Sequence, residues 1–146
     1  VDIYNAEMDN WTTTNLSSPA IGLSSITVNG KAYFSFSYYG LSGTSLGIFD
    51  AATNSWNTIK LVEGKVYIPI GTSNGKIAFV GGMLGWFEHS KLIEILDVAT
   101  KTWTYTYMEE DLMWESILSF DNYLYSAGGT ISGGDVPVAT IYKFQL

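Results

Sequence analysis

The sequence contains no cysteine and no arginine, and it has a single histidine, His89. Without cysteine the chain has no disulfides, no thiolate metal ligands and no thiol nucleophile. Seven lysines stand against fourteen acidic residues, so the formal net charge is −7. Nucleic-acid-binding proteins need a basic face, so we expect no nucleic-acid partner. No apolar run approaches the ~20 residues that cross a bilayer, so we expect no membrane insertion.

The residues that are present favour one domain built from strands. The 146 residues are 47% hydrophobic, and valine, isoleucine, threonine, tyrosine and phenylalanine are plentiful. Asn10 and Asn15 each begin a glycosylation acceptor triplet. These triplets favour an extracellular or secreted protein, with a cytoplasmic one as the alternative.

One phrase recurs three times along the chain. Each copy of this motif ends in a tryptophan, and successive tryptophans are 45 and 47 residues apart. An Asn or Asp lies six residues before each tryptophan. The copies are "YNAEMDNW" with Trp11, "FDAATNSW" with Asp50 and Trp56, and "LDVATKTW" with Asp97 and Trp103. A second marker, a glycine pair after a strand-like run, has the same period, at Gly81-Gly82 and Gly128-Gly129. Such a period indicates a repeat architecture.

The sequence between these markers predicts four short strands in each unit. In the second unit, "KVYIPIG" (65–71) is the predicted first strand. We therefore predict an all-β chain, residues 1–146 in a single unit, with repeats at 1–14 (partial), 20–61, 65–108 and 114–146 (partial).

These motifs resemble the kelch-repeat family. The resemblance implies a β-propeller segment of about three four-stranded antiparallel blades. The first repeat lacks the glycine pair, and the last has Lys143 where the others have Asn5, Asp50 or Asp97. Propellers have 4–8 blades, so we expect the ring to be completed by another chain or by sequence outside this one. A homodimer would supply about six blades.

Each repeated residue has a structural explanation. A glycine pair permits positive φ, and Asp or Asn before a turn accepts hydrogen bonds from the turn backbone. Tryptophan on the outer strand offers a surface on which we expect the next blade to pack.

In a propeller, the loops between second and third strands share a face with the loops between blades, and such loops are the usual binding site. The candidate binding residues there are Tyr38, Tyr39, Trp86, Phe87, Glu88, His89, Glu109, Glu110 and Trp114. Aromatic rings beside carboxylates suit a sugar or a basic peptide. Alternatively, Trp86 and Phe87 pack beneath their loop or in a subunit contact.

Catalysis has weak support in the sequence. His89 has no carboxylate at a fixed spacing, and neighbouring acidic residues in a loop, such as Glu109 and Glu110, usually point apart. The kelch-related galactose oxidases need a copper site with histidine ligands and a Tyr–Cys crosslink, which this chain cannot supply. We therefore predict no catalytic residue, no metal and no cofactor.

We expect a non-catalytic protein-interaction or structural assembly module. Its partners would be further copies of the chain in a homo-oligomer, or other domains of a longer chain. The alternative is a carbohydrate-binding, lectin-like propeller. A hydrolase or epimerase that uses the acidic loop, with Glu115 near it, is the third reading.

Overall fold

The computed structural model describes residues 1–16, 19–37, 44–85, 88–131 and 136–146. These residues form strands, turns and irregular segments, and no helix occurs among them. All their strand pairings are antiparallel. The prediction of an all-β chain is confirmed.

The strands in chain order are β1 (Asp2–Asn5), β2 (Asn10–Thr13), β3 (Ile21–Val28), β4 (Lys31–Ser37), β5 (Thr44–Asp50), β6 (Ser55–Lys60), β7 (Ile70–Ser73), β8 (Lys76–Val80), β9 (Met83–Gly85), β10 (Glu88–His89), β11 (Leu92–Asp97), β12 (Trp103–Tyr107), β13 (Leu112–Met113), β14 (Ser116–Phe120), β15 (Tyr123–Ala127), β16 (Thr130–Ile131), β17 (Val136–Pro137) and β18 (Ile141–Gln145).

Three sheets share one strand order. Sheet I is β3-β4-β5-β6, sheet II is β7-β8-β11-β12, and sheet III is β14-β15-β18. Strands β1 and β2 form a separate N-terminal hairpin. The hairpin β9–β10 is inserted between the second and third strands of sheet II, and β16–β17 is inserted at the same point of sheet III, where β16 also pairs with β13.

Tight turns explain the meander. Asn29 and Gly30 join β3 to β4 with φ of 50° and 73°, and Asn74 and Gly75 join β7 to β8 with φ of 53° and 73°. Asparagine and glycine tolerate this left-handed region, which two-residue hairpin turns require.

The backbone repeats with the period of the sequence. Asp9, Asn54 and Lys101 have φ of 47°, 50° and 60° just before the strand that carries the tryptophan. Gly22, Tyr67 and Trp114 have φ of 64°, 53° and 63° near the start of each sheet. Both sets are spaced by 45 and then 47 residues, so the sequence repeat is also a conformational repeat.

The expected turn hydrogen bonds are present in all three copies of the phrase. Asn5 Oδ1 accepts from the backbone N–H of Glu7 and Met8 at 3.0 and 3.1 Å. Asp50 Oδ1 accepts from Ala52 at 3.0 Å. Asp97 Oδ1 accepts from Ala99 and Thr100 at 3.0 and 2.9 Å. The carboxylate or amide therefore fixes the turn that brings the chain back as the outer strand.

Sheets I and II enclose one apolar core. Its buried members include Val28, Tyr33 and Leu46 from sheet I, and Ile77, Phe79 and Leu96 from sheet II. Burying each large side chain of this kind contributes about 1.5–3 kcal/mol, so this junction is a main source of stability.

Sheets II and III enclose a second core on the opposite face of sheet II. Because strand neighbours point to opposite sides, Ala78 and Val80 face sheet III while Ile77 and Phe79 face sheet I. The residues that meet Ala78 and Val80 include Leu124, Ile117, Tyr142 and Phe144. Sheet II is therefore covered on both faces, and the three sheets stack in series.

The tryptophans point in the direction opposite to the one expected. Trp103 lies across from Leu96 and packs against the core shared with sheet I, which precedes it in the chain. Trp56 likewise donates its Nε1–H to Thr14 Oγ1, beside the preceding hairpin, at 2.9 Å. The expectation that the next unit packs on the tryptophan was wrong. Residues paired across a ladder point to the same face of the sheet, and Leu96, the partner of Trp103, points to sheet I.

Sheet II also begins later than the sequence predicts. The predicted first strand, 65–71, is irregular up to Pro69, with one isolated bridge between Val66 and Met83. Tyr67 has a positive φ and Pro69 has no N–H to donate, so the ladder starts only at Ile70.

The junction between sheets II and III gives a direct test of packing. A Cβ on Gly71 would lie 2.4 Å from Ile117 Cγ2 and 3.0 Å from Leu124. We expect Gly71→Ala to lower the free energy of unfolding by about 1–3 kcal/mol through overpacking, measured by urea denaturation.

Gly85→Ala is the matched control, because no atom of the described residues beyond its chain neighbours lies within 4 Å of its added methyl group. We expect it to change stability by no more than about 0.5 kcal/mol. Equal effects of the two substitutions would contradict the stacking of sheets II and III.

Candidate functional site

The linkers between sheets gather along one side of the stack, at the same ends of the strands in each sheet, and we call this region the linker end. The tight turns lie at the opposite ends of the strands, where Val98 N–H donates to Gly75 O at 3.1 Å. At the linker end, Val66 and Met83 exchange backbone hydrogen bonds of 2.8 and 2.9 Å. Leu112 and Met113 pair with Ile131 and Thr130 in the corresponding place one repeat later. Each linker is thus held by the inserted hairpin of its sheet.

A buried charged cluster lies in this region. Lys65 is fully buried, and its Nζ donates to Leu92 O at 2.9 Å. The same Nζ lies 3.5 Å from Glu94 Oε2 and 3.8 Å from Glu63 Oε2. Glu94 is also fully buried, and its Oε1 accepts from Val62 N–H at 2.6 Å. The cluster therefore fastens the linker between sheets I and II to strand β11.

Burial and pairing act in opposite directions on these charges. Burial lowers the pKa of Lys65, and the carboxylates of Glu94, Glu63 and Glu115 partly offset that shift. Burial raises the pKa of Glu94, and Val62 N–H and Lys65 oppose it. Loss of either partner would leave a buried charge without its counterion.

Glu115 is a second buried carboxyl group at the linker end. It is 5% exposed, and neither oxygen accepts a hydrogen bond from another residue in the described part of the chain. A Cβ on Gly81 would lie 2.7 Å from Glu115 Oε1, so the carboxyl group sits directly against the first glycine of the pair. Burial raises its pKa from 4.5 to about 7, opposed by its own backbone N–H and by Lys65.

Glu88 and His89 have unlike surroundings. Both lie in β10, where Glu88 is exposed and His89 is 5% exposed. The next residue, Ser90, donates its hydroxyl to Glu63 Oε2 at 2.5 Å. Ser90 thus ties the end of the inserted hairpin to the linker beside the buried cluster.

The acidic loop spreads its side chains apart. Glu110 Oε2 accepts from Tyr142 OH at 2.6 Å, which links the loop to sheet III. Lys91 Nζ donates to the backbone oxygen of Glu109 at 2.8 Å, and the Glu109 side chain is exposed. Trp114 is 56% exposed and has a φ of 63°.

Four candidate binding residues, Tyr38, Tyr39, Trp86 and Phe87, lie outside the described residues. Of the others, Glu88, Glu109 and Trp114 are exposed at the linker end, whereas His89 is buried and Glu110 is half-buried there. No group of three histidine or acidic side chains in the described ranges is placed to hold a metal ion.

The sequence reasoning missed Lys65 and Glu94, the centre of the buried cluster. A signal for Glu94 existed, because it interrupts the apolar strand "LIEIL" (92–96) at a position flanked on its own face by Leu92 and Leu96. Lys65 opens the run "KVYIPIG", which the sequence predicted to be the first strand of the second unit. Only the three-dimensional fold shows that the linker carries it inward.

Clefts lie away from this cluster. One, of about 240 Å³, opens between sheets I and II and is lined by residues that include Lys31, Asp50 and Lys101. Another of the same size lies between the N-terminal hairpin and sheet I. The charged cluster is enclosed, so its contacts join elements of the fold.

No known protein family matches the chain, and no curated protein matches its sequence. No helix among the described residues is long and apolar enough to cross a membrane.

The Lys65–Glu94 pair can be tested by a double-mutant cycle. We expect Lys65→Met to lower the free energy of unfolding by about 3–5 kcal/mol, because it leaves Glu94 charged and unpaired. Adding Glu94→Leu should recover a large part of that loss, since the pair is then replaced by apolar groups. Urea denaturation measures all four corners, with Lys60→Met as the exposed control. Additive losses would show that the two groups do not interact.

Glu115 predicts a pH dependence of stability. Because the folded chain holds this proton more tightly than the unfolded one, the folded state loses stability as pH rises from about 4.5 to about 7. A pKa shift of this size corresponds to about 3 kcal/mol of folding stability that is lost over this pH range. Glu115→Gln removes this pH dependence because glutamine does not titrate.

Unfolding free energies at pH 4.5 and pH 8 provide the measurement. The wild type should lose more stability than Glu115→Gln over this interval, whereas Glu88→Gln, an exposed control in the same region, should follow the wild type. Identical pH profiles for wild type and Glu115→Gln would refute the buried, protonated carboxyl group.

Proposed function

We propose that the chain is a segment of a kelch-like β-propeller and that sheets I, II and III are its blades. The shared meander order, the hydrogen-bonded turn before each tryptophan and the glycine pairs after β8 and β15 support this assignment. The N-terminal hairpin then supplies the third and fourth strands of a further blade. About three blades would be completed to a ring by another chain or by other domains of a longer one.

The function we propose for this segment is protein interaction or structural assembly without catalysis. The observation that carries it is that both ends of the stack present large apolar side chains to solvent: Tyr4 and Trp11 at one end, and Leu118, Phe120 and Ile141 at the other. Exposed apolar patches of this kind mark surfaces that bind other proteins. Asn10 and Asn15 are exposed, as an extracellular, glycosylated protein would need.

Multi-angle light scattering over a concentration series tests this function. We expect a particle of twice the mass of one chain, because two copies bring about six blades and cover the apolar ends. The control Tyr107→Glu alters an exposed aromatic residue on β12, away from both ends, and should leave the mass unchanged. A single-chain mass at every concentration would contradict the assembly role.

A lectin-like role is the second candidate. The exposed Trp114 and Glu110 lie on either side of β13 in one linker, so an aromatic face and a carboxylate are close in sequence at the linker end. A glycan array distinguishes the two functions. Selective binding of one glycan that is lost in Trp114→Ala would favour the lectin, and binding of no glycan would favour the assembly module.

A further inference from the structure

The two ends of the stack carry different faces. The C-terminal face is the side of sheet III that points away from sheet II. It consists of Leu118, Phe120, Tyr125 and Ile141, whose strand neighbours Ile117, Leu124 and Tyr142 point into the core with sheet II. Leu118, Phe120 and Ile141 are 66%, 67% and 68% exposed.

The N-terminal face is the outer side of the β1–β2 hairpin. Tyr4 and Trp11 lie opposite each other in the ladder, with ring centroids 5.1 Å apart. They are 49% and 68% exposed. The other side of the hairpin, with Ile3 and Thr12, lines the cleft against sheet I.

The C-terminal face has an internal counterpart. Residues at the same register positions of sheet I are Ile26, Val28, Tyr33 and Leu46, as the hairpin turns and strand pairings align them. These residues pack in the core against sheet II, where Val28 is 8% and Leu46 is 0% exposed. Tyrosine occupies the same position in both faces, at 33 and at 125.

The N-terminal face has an internal counterpart on the other side of that junction. Leu96 and Trp103 occupy in sheet II the positions of Tyr4 and Trp11 in the hairpin, 92 residues later in both cases. Leu96 is 4% exposed, and Trp103 packs against the core with sheet I. The chain therefore exposes, at its two ends, both halves of a junction that it already buries once between sheets I and II.

We propose that the C-terminal face of one copy binds the N-terminal face of a second copy, in a head-to-tail contact that repeats the junction between sheets I and II. This proposal deepens the assembly function above and rests on it. The second copy is the fitting occupant because one chain carries both complementary faces. Leu118, Phe120 and Tyr125 would receive the Tyr4–Trp11 pair as Ile26, Val28 and Tyr33 receive Leu96 and Trp103.

Charge also matches the two faces. Lys143 lies on the C-terminal side of sheet III, across from Tyr125, with Nζ 3.8 Å from the centroid of the Tyr123 ring. The N-terminal face is acidic, because Asp2 points to the same side as Tyr4 and Asp9 accepts a hydrogen bond from Tyr4 OH at 2.8 Å. In a chain of net charge −7, a lysine on one end and carboxylates on the other favour head-to-tail contact over contact between like ends.

Two variants test the contact by mixing. We expect Trp11→Glu and Phe120→Glu each to weaken self-association at least tenfold in sedimentation equilibrium, whereas Tyr107→Glu associates as the wild type does. An equimolar mixture of Trp11→Glu and Phe120→Glu, one of them carrying a mass tag, should form mixed dimers more tightly than either variant alone. The mixture retains one intact junction, which a contact between two identical faces would not provide.

A charge exchange tests the orientation. Lys143→Glu should weaken association, and Lys143→Glu combined with Asp2→Lys should restore it, because the double variant again carries opposite charges on the two faces. Circular dichroism checks that each variant is folded, so that a lost association is not unfolding.

The outcomes separate this inference from the function on which it rests. A wild-type chain that remains monomeric overturns both. A wild-type dimer that Trp11→Glu and Phe120→Glu leave intact overturns the head-to-tail contact and keeps the assembly function. A mixture that associates no better than the single variants also overturns the head-to-tail contact.

Discussion

The structure depends on one constraint, the burial of both faces of sheet II. Its strands β8 and β11 carry apolar side chains on both faces, so neither face can be left to water. The side chains of Ile77, Phe79 and Leu96 require sheet I, and those of Ala78, Val80 and Ile93 require sheet III. A sheet buried on both faces forces a series of layers, and a series leaves two ends. The apolar ends on which the proposed assembly function rests follow from the same packing rule that orders the interior.

The enclosed charges at the linker end have a related role. Lys65 and Glu94 are fully buried, and each holds a group of another segment: Lys65 binds Leu92 O, and Glu94 binds Val62 N–H. Such pairs add little net stability compared with apolar packing, but a partner left alone is costly. The pair therefore penalises any other placement of the linker between sheets I and II. Glu115 stands at the following linker, against Gly81, where a side chain on the glycine would meet the carboxyl group.

Local signals in the sequence were sufficient for the turns and for most of the longer strands. Some residues act on the backbone next to them, so their effects can be predicted from the sequence alone. They are Asn29-Gly30, Asn74-Gly75, Asp50 and Asp97. The direction in which Trp103 points could not be predicted, because it depends on which neighbouring sheet packs against its face of sheet II. The Lys65–Glu94 pair was missed for the same reason: its partners are 29 residues apart and meet only when the linker folds over β11. The inserted hairpins β9–β10 and β16–β17 are too short to show a strand pattern.

Serial stacking with the tryptophan turned toward the preceding sheet is the central claim, and nuclear Overhauser contacts in solution test it most directly. The account predicts contacts from the Trp103 indole and the Phe79 ring to side chains of sheet I such as Ile26 and Leu46, and contacts from Val80 and Ala78 to Leu124 of sheet III. Contacts from Trp103 to sheet III, or from Phe79 and Val80 to the same neighbouring sheet, would contradict it.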